Sequence, residues 1–439
     1  MIESDCMPKL VRPMRILVFS TTTGYQLRSF GDAAERLGIE LMFATDRCHA
    51  IDDPWQDRAV PVRFEDGDAL PSVAVVLDAA RERPIDGVVA VGDRPVVLAA
   101  RVAEALGLPG NPPGAAAASA NKLQARRLLA QAGLIVPWHF EVSTAADPAA
   151  VAGEARYPAV VKPLALSGSR GVIRANSPAE LMAAFQRLRA LLARPEIRAM
   201  RLETDRSVLV EGYIDGREYA VEGLLTDGAF RALAVFDKPD PLDGPFFEET
   251  IYVTPPRLAP GDRAAIVGEV ARAAGALGLR HGAVHAECRL MADGVFVLEV
   301  AARPIGGLCS RVLRFGPAGE ISLEDLLLRH ACGEDVAGIE REPAAASVMM
   351  IPIPKRGIFR RVDGVDDARR VAGVEDVRIT AKPDQLLEPL PEAGSYLGFI
   401  FARASVAEEA EAAVREAHRR MTFAVDAAIA VAQPRGVDA

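Results

Sequence analysis

The amino-acid sequence predicts a mixed α/β and α+β protein, with an N-terminal doubly wound parallel sheet, a central α+β region and a small C-terminal α+β domain. Three observations carry this prediction. Strand and helix patterns alternate over roughly residues 14–110, the rhythm breaks at NPPGAAAAS (111–119), and strand-like segments dominate 207–237 and 283–300. Alternating strands and helices indicate a parallel sheet, whereas strands joined by short turns indicate hairpins.

The first domain begins with RILVFSTTTGY (15–25), an apolar strand that runs into a Thr/Gly turn. FGDAAERLGIE has helical spacing, IELMFAT (39–45) is a second strand, and VAVVLDAARER is helical. DGVVAVGD (86–93) is a buried strand that ends in Asp93, and VVLAARVAEALGL is a helix stopped by Gly107 and Pro109. The turn after the first strand lacks G-x-G-x-x-G, and G-x-x-x-x-G-K-[ST] is absent from the sequence, so neither a dinucleotide fingerprint nor a P-loop is indicated.

The remaining elements are predicted by the same patterns. The polyalanine stretch starts a helix, NKLQARRLLAQAGLIVP (121–137) is an amphipathic helix, and 178–200 is helical. A new segment starts near residue 341. It mixes strands such as GFIFARA (398–404) with a long Ala/Glu helix, and we expect the terminal helix to end near Val431.

Composition limits the function classes. A chain of 439 residues is expected to form two to four domains. The net charge of −9 and the lack of a Lys/Arg run argue against nucleic acid as a partner. The apolar runs are shorter than the roughly 18 residues of a membrane span, so we expect no membrane segment. Scattered cysteines without C-x-x-C spacing fit a reducing cytoplasm: Cys6, Cys48, Cys288, Cys309 and Cys332.

The segment HAECRLMADGVFVLEVAARPIGG (285–307) places two isolated acids on predicted paired strands. We interpret Ala292-Asp293-Gly294 as a three-residue hairpin loop, which would put Met291 opposite Val295 and Glu287 opposite Glu299. Directly opposed residues have Cβ atoms roughly 4.5–5.5 Å apart, and like charges there destabilise a sheet. A bridging Mg²⁺ would resolve this conflict, because it accepts one or two carboxylates and completes its shell with phosphate and water. A solvated polar hairpin is an equal alternative from this segment alone.

VVKPLALSGSRGV (160–172) is a strand, a lysine and a loop of small residues. The ammonium of Lys162 must leave an apolar strand toward something anionic. The loop from Ser167 through Gly168 and Ser169 to Gly171 offers backbone N–H groups, hydroxyls and the Arg170 guanidinium, which suits a phosphate lid. An ordinary hairpin turn is the alternative, and the position directly after the lysine favours the phosphate lid.

VLVEGYIDGREYAVEG (208–223) carries Glu211, Glu218 and Glu222 in strand-like sequence. The turn Ile214-Asp215-Gly216 predicts that Glu211 and Glu218 lie near each other across a hairpin. Such carboxylates can accept hydrogen bonds from an adenine amino group and from ribose hydroxyls, while the Tyr213–Ile214 backbone meets the base edge. Acids on a surface hairpin are the alternative for this segment taken alone.

The order Lys122, Lys162 with its loop, EGYIDGRE, then Glu287, Glu299 and Arg303 resembles the ATP-grasp superfamily, whose members clamp ATP between two α+β lobes and join a carboxylate to an amine. The resemblance implies an ATP-grasp fold. Its domains would be a flexible extension (1–13), an N-terminal domain (14–112), an ATP-grasp domain (113–340) with a lid lobe to about 206 and a large lobe from about 207, and a C-terminal domain (341–439). RPIGG (303–307) resembles the L-amino acid ligase branch, which forms dipeptides or related amides.

The resemblance also implies roles for individual residues. Lys122 and Lys162 would contact ATP phosphates under the 167–171 loop. Glu211 and the Tyr213–Ile214 backbone would hold adenine, and Glu218 the ribose. Glu287 and Glu299 would hold Mg²⁺, with Mn²⁺ as a substitute. Arg303 would stabilise the transferring phosphoryl group, and the backbone of Gly306 and Gly307 would bind the carboxylate substrate.

Several residues depart from the pattern or leave it open. Many ATP-grasp enzymes carry Asn two residues after the second metal acid, where this chain has Ala301, so a second Mg²⁺ lacks one ligand. A zinc site on His281, His285 and Glu287 is disfavoured, and His285 is better interpreted as a group that supports the metal acids or faces phosphate. Lys238 and Glu249 flank a loop that either reaches the substrate or is solvated. Cys309 is expected to be structural.

The implied reaction is phosphorylation of a substrate carboxylate by ATP, followed by attack of an amine on the acyl phosphate. The expected partners are small-molecule carboxylates and amines, with amino acids foremost, and a homodimer is compatible with the sequence. A biotin-carboxylase-like enzyme and a nucleotide-binding module without catalysis are the alternatives. The lysines, acids and arginine argue against the second alternative.

Overall fold

The structure is a computed structural model, and it describes residues 12–21, 26–46, 59–65 and 69–428. Most of the predicted extension (1–13), the Thr/Gly turn after the first strand, and Val431 lie outside the described residues. Among the described residues, no helix has the length and apolar character needed to cross a membrane.

The N-terminal domain is the predicted parallel α/β unit. Its strands are ordered β3-β2-β1-β4 and all pair in parallel. The helices end where the sequence placed glycines, because Gly38 and Gly107 adopt φ of 66°. The elements are β1 (Arg15–Ser20), α1 (Leu27–Leu37), β2 (Glu40–Thr45), β3 (Val60–Pro61), α2 (Leu70–Glu82), β4 (Gly87–Val91) and α3 (Val96–Leu106).

The lid lobe follows as an antiparallel sheet of order β5-β8-β6-β7 covered by helices. Its elements are α4 (Pro113–Ser119), α5 (Lys122–Gln131), β5 (His139–Ser143), α6 (Pro148–Glu154), β6 (Ala159–Pro163), β7 (Ile173–Ala175), α7 (Pro178–Leu192), α8 (Pro195–Arg198) and β8 (Ser207–Gly212). The lobe therefore continues to Gly212, beyond the predicted boundary at 206, because β8 pairs with β5 and β6.

The large lobe contains most of the central sheet. Its elements are β9 (Arg217–Thr226), β10 (Ala229–Asp237), β11 (Ile251–Thr254), α9 (Pro260–Ala276), β12 (Gly282–Met291), β13 (Gly294–Ala301), β14 (Arg314–Phe315), β15 (Ile321–Ser322) and α10 (Leu323–Ala331). The predicted hairpin across Ile214-Asp215-Gly216 is wrong, because β8 lies in the lid sheet while β9 pairs with β10 and β12. The turn is instead the connection between the two lobes.

The C-terminal segment adds three strands to the central sheet and forms a separate sheet of three further strands. The elements are β16 (Ala345–Ile351), β17 (Gly357–Asp363), α11 (Val365–Arg369), β18 (Val374–Ile379), β19 (Leu386–Leu387), β20 (Gly398–Ala404), α12 (Ala407–Arg419) and β21 (Thr422–Asp426). The resulting eight-stranded order is β13-β12-β9-β10-β11-β16-β20-β18. The predicted terminal helix to Val431 is wrong, since α12 ends at Arg419 and the following TFAVD forms β21.

One buried apolar cluster joins the three regions. It contains Phe30 and Val89 of the N-terminal domain, Phe236 of the large lobe, and Phe399 and Phe401 of the C-terminal segment. Close packing of this kind fixes the relative positions of the elements that carry the polar groups described next. The predicted α/β and α+β fold class is confirmed.

Candidate active site

A cavity of about 380 Å³ lies where the N-terminal domain, both lobes and the C-terminal segment meet. The structure brings all the predicted site residues to its wall, and their individual roles stay predictions. These residues are Lys122, Lys162, Ser167, Gly168, Ser169, Glu211, Tyr213, Ile214, Glu218, Glu287, Glu299, Arg303, Gly306 and Gly307.

In the β12–β13 hairpin Glu287 lies opposite Glu299 as predicted, but the turn and the register differ from the prediction. The predicted three-residue loop is wrong, because Met291 pairs with Gly294 across a two-residue turn, the commonest hairpin length. A β-bulge then makes Leu298 an extra residue and restores the opposition of the two acids. Because the bulge changes which face the following side chains occupy, Val297 packs in the core while Glu299 lines the cavity.

The two opposed acids approach different cations. Glu287 Oε1 lies 3.2 Å from Lys238 Nζ, whereas Glu299 Oε2 lies 3.4 Å from Lys122 Nζ. Burial would raise the pKa of Glu287, but Lys238 and His285 outweigh it and hold that pKa well below its usual range. The like-charge conflict inferred from the sequence is thus relieved by lysines on both sides of the hairpin.

Lys238 is a buried cation at the centre of an acidic cluster. Its Nζ lies 2.7 Å from Glu218 and 2.5 Å from Glu249, and only 4% of the residue is exposed. Burial and the neighbouring Glu287 carboxylate raise the pKa of Glu249 to about 7, against the opposing charge of Lys238. Of the two alternatives for Lys238 and Glu249, the structure therefore supports the one in which their loop reaches the site.

Three carboxylates cluster around the Lys238 ammonium. Carboxylate oxygens of Glu218, Glu249 and Glu287 lie within 4.8 Å of one another, and this is the only such cluster of metal-ligating groups in the described part of the chain. Oxygen ligands of this type are those that Mg²⁺ prefers. Ala301 lies opposite His285, also lines the cavity and offers no ligand. The Lys238 ammonium lies within 3.2 Å of all three carboxylates and neutralises this cluster. The predicted Mg²⁺ ligands are Glu287 and Glu299, which could hold the ion with one protein ligand fewer than the common pattern.

A zinc site on the histidines has no geometric support in the described residues. His281 stacks on His330 with ring centroids 4.4 Å apart, while His285 Nδ1 lies 3.1 Å from Glu222 Oε2. Although burial opposes it, hydrogen bonds to Glu222 and Glu287 raise the pKa of His285 to about 9. His285 Nε2 lies 3.8 Å from Glu287 Oε1, and His285 also lines the cavity, so both predicted roles for it stay predictions.

Lys162 reaches the cavity from β6 and pairs with Glu211. Its Nζ lies 2.6 Å from Glu211 Oε1, and Arg126 Nε lies 3.0 Å from Glu211 Oε2. Burial would raise the pKa of Glu211, but Arg126 and Lys162 outweigh it and lower that pKa to about 2. Both oxygens of Glu211 are thus engaged by buried cations, and the carboxylate orients the lysine that faces the cavity.

The phosphate-lid loop is held at its base by Lys122 of α5. Lys122 Nζ donates to the Leu166 carbonyl at 2.7 Å. Gly168 and Ser169 have φ of 62° and 55°, a left-handed conformation that favours glycine and small polar residues. Ser167, Gly168 and Ser169 line the cavity together with Lys122 and Lys162.

Arg303 is fixed by the N-terminal domain. Its Nε and Nη2 lie 2.8 and 3.2 Å from the two carboxylate oxygens of Asp93, a bidentate pair. Although burial opposes both shifts, the pair raises the pKa of Arg303 and lowers that of Asp93. Asp93 follows the carboxyl end of β4, the edge at which open α/β sheets place their ligands.

Tyr213, Ile214 and Glu218 surround a buried arginine that the sequence analysis did not single out. Arg289 donates to the Ile214 carbonyl at 2.6 Å, to Tyr213 Oη at 3.0 Å and to Glu218 at 2.9 Å. It is 3% exposed. The alternation along β12 could have identified Arg289. His285, Glu287 and Arg289 share one face of the strand, while Ala286 and Cys288 pack in the core on the other face.

Sequence reasoning also missed the role of Arg126, which lies on the buried stripe of α5 between Leu123 and Leu129. A charged residue on an apolar helix stripe is the signal that could have found it. Cys309 is buried, and burial raises the pKa of its thiol, which supports the expectation of a structural cysteine.

Three family models match successive parts of the chain. They are the ATP-grasp N-terminal domain over residues 31–110, the ATP-grasp domain over 155–312, and the L-amino acid ligase C-terminal domain 2 over 349–426. These segments coincide with the N-terminal sheet, the two lobes around the cavity and the C-terminal part of the central sheet.

Individual proteins resemble the chain over different lengths. The crystal structure of an L-amino acid ligase from Bacillus licheniformis superposes with a TM-score of 0.79 at 29% identity, over 94% of this chain and 99% of that one. Protein y4rH of Sinorhizobium fredii is 25% identical over 96% of this chain and 84% of its own. Alanine–anticapsin ligase of Bacillus subtilis is 28% identical over 47% of this chain and 46% of its own, so that alignment spans about half of either protein.

Proposed function

We propose, from the chain's membership of the ATP-grasp ligases, that it couples ATP cleavage to formation of an amide bond between two amino acids or close relatives of them. The observation that carries this proposal is the single cavity. It is lined by Lys122, Lys162 and residues 167–169 together with Glu287, Glu299 and Arg303. Phosphoryl transfer depends mainly on such positioning and charge neutralisation.

The reaction proceeds in two steps. An oxygen of the substrate carboxylate attacks the γ-phosphorus of ATP, and the bond to ADP breaks to give an acyl phosphate and ADP. The nitrogen of an amine then attacks the acyl carbon, the bond to phosphate breaks, and the amine loses a proton. The products are an amide, ADP and phosphate.

The residues in the cavity would divide this work. Lys122 and Lys162 bind phosphate oxygens, and Arg303 neutralises charge on the transferring phosphoryl group. Tyr213, Ile214 and Glu218 hold the adenosine end of the nucleotide. Mg²⁺ bound through Glu287 and Glu299 would supply charge neutralisation at the phosphates.

The amine step needs a proton acceptor and protection from water. Glu249 lines the cavity, and its carboxylate would accept this proton. The backbone at Gly306 and Gly307 presents N–H groups for a substrate carboxylate. The 167–171 loop excludes water from the acyl phosphate, which hydrolyses if it is exposed.

The substrate class is inferred from named relatives. The L-amino acid ligase and alanine–anticapsin ligase that resemble the chain are named for joining amino acids or an alanine to a partner. Phosphate release is to be measured with ATP, Mg²⁺ and pairs of amino acids, followed by mass spectrometry of the products. An amide with ADP is expected. AMP as the product would contradict the acyl-phosphate route, and no turnover with any pair would contradict the amino-acid substrates.

A further inference from the structure

A loop of the C-terminal segment is seated directly on the phosphate lid. Residues 388–396, between β19 and β20, form this loop, which we call the latch loop. Arg170 Nε donates to the Glu392 carbonyl at 2.7 Å, and the Gly171 amide donates to the Pro391 carbonyl at 2.9 Å. The two loops therefore share one backbone–backbone hydrogen bond and one hydrogen bond from the Arg170 side chain, although more than two hundred residues separate them in sequence.

The contact is tight at Gly394, where a Cβ atom would require the facing backbone to shift by a few tenths of an ångström. A Cβ atom at Gly394 would lie 3.1 Å from the Gly168 carbonyl oxygen, and a Cβ atom at Gly168 would lie 3.6 Å from the Gly394 carbonyl oxygen. A side chain at Gly394 would thus push the lid away. The backbone of the latch loop limits how far the lid can move over the cavity.

Charged side chains anchor the latch loop to the lid lobe. The Glu392 carboxylate pairs with Arg187 of α7 at 2.5 and 2.8 Å, and Glu388 pairs with Arg194 at 2.8 Å. A single exposed ion pair contributes little to stability. A bidentate pair with fixed geometry has a second effect, because it specifies the position of the groups it joins.

The same loop continues into the wall of the cavity. Gly394, Ser395 and Tyr396 line it beside Gly168 and Ser169. Movement of the latch loop would therefore change both the lid and the space in which the two substrates meet.

We propose that Glu392 is a positioning residue that holds the phosphate lid closed through Arg187 and Arg170, so that the C-terminal segment controls water exclusion during amide formation. The consequence for chemistry rests on the proposed function. The effect on lid motion does not depend on the proposed function, because it concerns only the closed position of residues 164–171.

The test is a charge exchange between Glu392 and Arg187. E392R and R187E each place like charges together, whereas the double variant restores opposite charges. We expect each single variant to lower the ratio of amide formed to phosphate released by about threefold or more, because the acyl phosphate meets water. The double variant should recover most of that ratio. Arg187 also stacks over Phe246 at 4.9 Å, so recovery is judged against R187E.

Hydrogen exchange of residues 164–171 in the presence of ADP and Mg²⁺ gives a second readout that needs no turnover. Exchange should speed up in E392R and return toward the wild-type rate in the double variant. The matched control is R360E, which breaks an exposed pair with Asp426 in the same segment. It should change neither readout.

The outcomes separate the two proposals. If E392R changed neither the hydrogen-exchange rate of residues 164–171 nor the ratio of amide formed to phosphate released, the positioning role would be overturned. Faster exchange in E392R without recovery in the double variant would also overturn it, since a general loss of structure would explain the change. If the wild type formed no amide while hydrogen exchange changed as expected, the proposed function would be overturned and the positioning role of Glu392 would still hold.

Discussion

The guanidinium of Arg126 donates two hydrogen bonds to the carboxylate of Glu211, from Nε to Oε2 at 3.0 Å and from Nη2 to Oε1 at 3.3 Å. The same guanidinium donates to the Val297 carbonyl at 2.8 Å, inside the bulge of β13. One side chain on α5 therefore ties the lid sheet to the hairpin of the large lobe. It fixes the carboxylate that orients Lys162 and the bulge that turns Glu299 toward the cavity.

Arg126→Met should destabilise the protein strongly. The change leaves the buried Glu211 with one cation instead of two. It also removes the hydrogen-bond donor from the Val297 and Leu298 carbonyls of the bulge. Breaking a buried ion pair in this way costs about 3–5 kcal/mol. The free energy of unfolding, measured with urea, checks this. Arg127→Met is the matched control, because Arg127 is exposed and pairs loosely with Glu141 at 3.3 Å. Equal losses in the two variants would contradict the central role of Arg126.

Glu211 gives a prediction for acid conditions. Its pKa in the folded protein is about 2, below the value of about 4.5 expected when the chain is unfolded. The unfolded state therefore takes up the proton first, and the carboxylate stabilises the fold above about pH 4.5. That contribution, on the order of 3 kcal/mol, is lost as pH falls from 4.5 toward 2.

Glu211→Gln tests this sign. The difference in unfolding free energy between the wild type and the variant should be largest near pH 7 and should shrink steadily below about pH 4.5. Urea unfolding at several pH values measures it. A difference that stays constant with pH, or that grows in acid, would contradict a depressed pKa for Glu211.

The sequence predicted the opposed acids but not how the hairpin achieves them. Glu287 and Glu299 are conspicuous because each interrupts an apolar strand. A three-residue loop would pair them directly, whereas the observed two-residue turn pairs them only with the help of the bulge. The bulge at Leu298 depends on Arg126, which approaches from a helix far away in sequence. No local pattern reports such a contact.

The same reason explains the error at residues 213–216. Two strands around an Asp-Gly turn predict a hairpin, and local chemistry cannot show that each strand has better partners in a different sheet. The lid loop was predictable because its glycines and its lysine are adjacent in sequence. The latch loop was not, because its contacts with the lid arise only from the tertiary fold.

Lys238 should be required to keep three carboxylates together. Lys238→Met removes the buried cation beside Glu218, Glu249 and Glu287, so like charges face one another in a buried space. We expect a loss of several kcal/mol. The double variant K238M/E249Q should recover part of it, because one carboxylate is neutralised. Thermal unfolding measures both variants. A single variant as stable as the wild type would contradict the compensation.

Glu299→Gln should abolish turnover with little loss of folding. Glu299 is partly exposed to the cavity, and its ion pair with Lys122 is 3.4 Å long, so the amide fits in its place at small cost in stability. The amide cannot supply the negative charge that binds a divalent cation between the opposed strands. Mn²⁺ binding in the presence of ADP, followed by electron paramagnetic resonance, should weaken by about tenfold or more. Asp293→Asn, on the exposed turn of the same hairpin, should bind the ion and turn over like the wild type. Unchanged Mn²⁺ binding in the Glu299 variant would contradict its role as a metal ligand, whatever happens to activity.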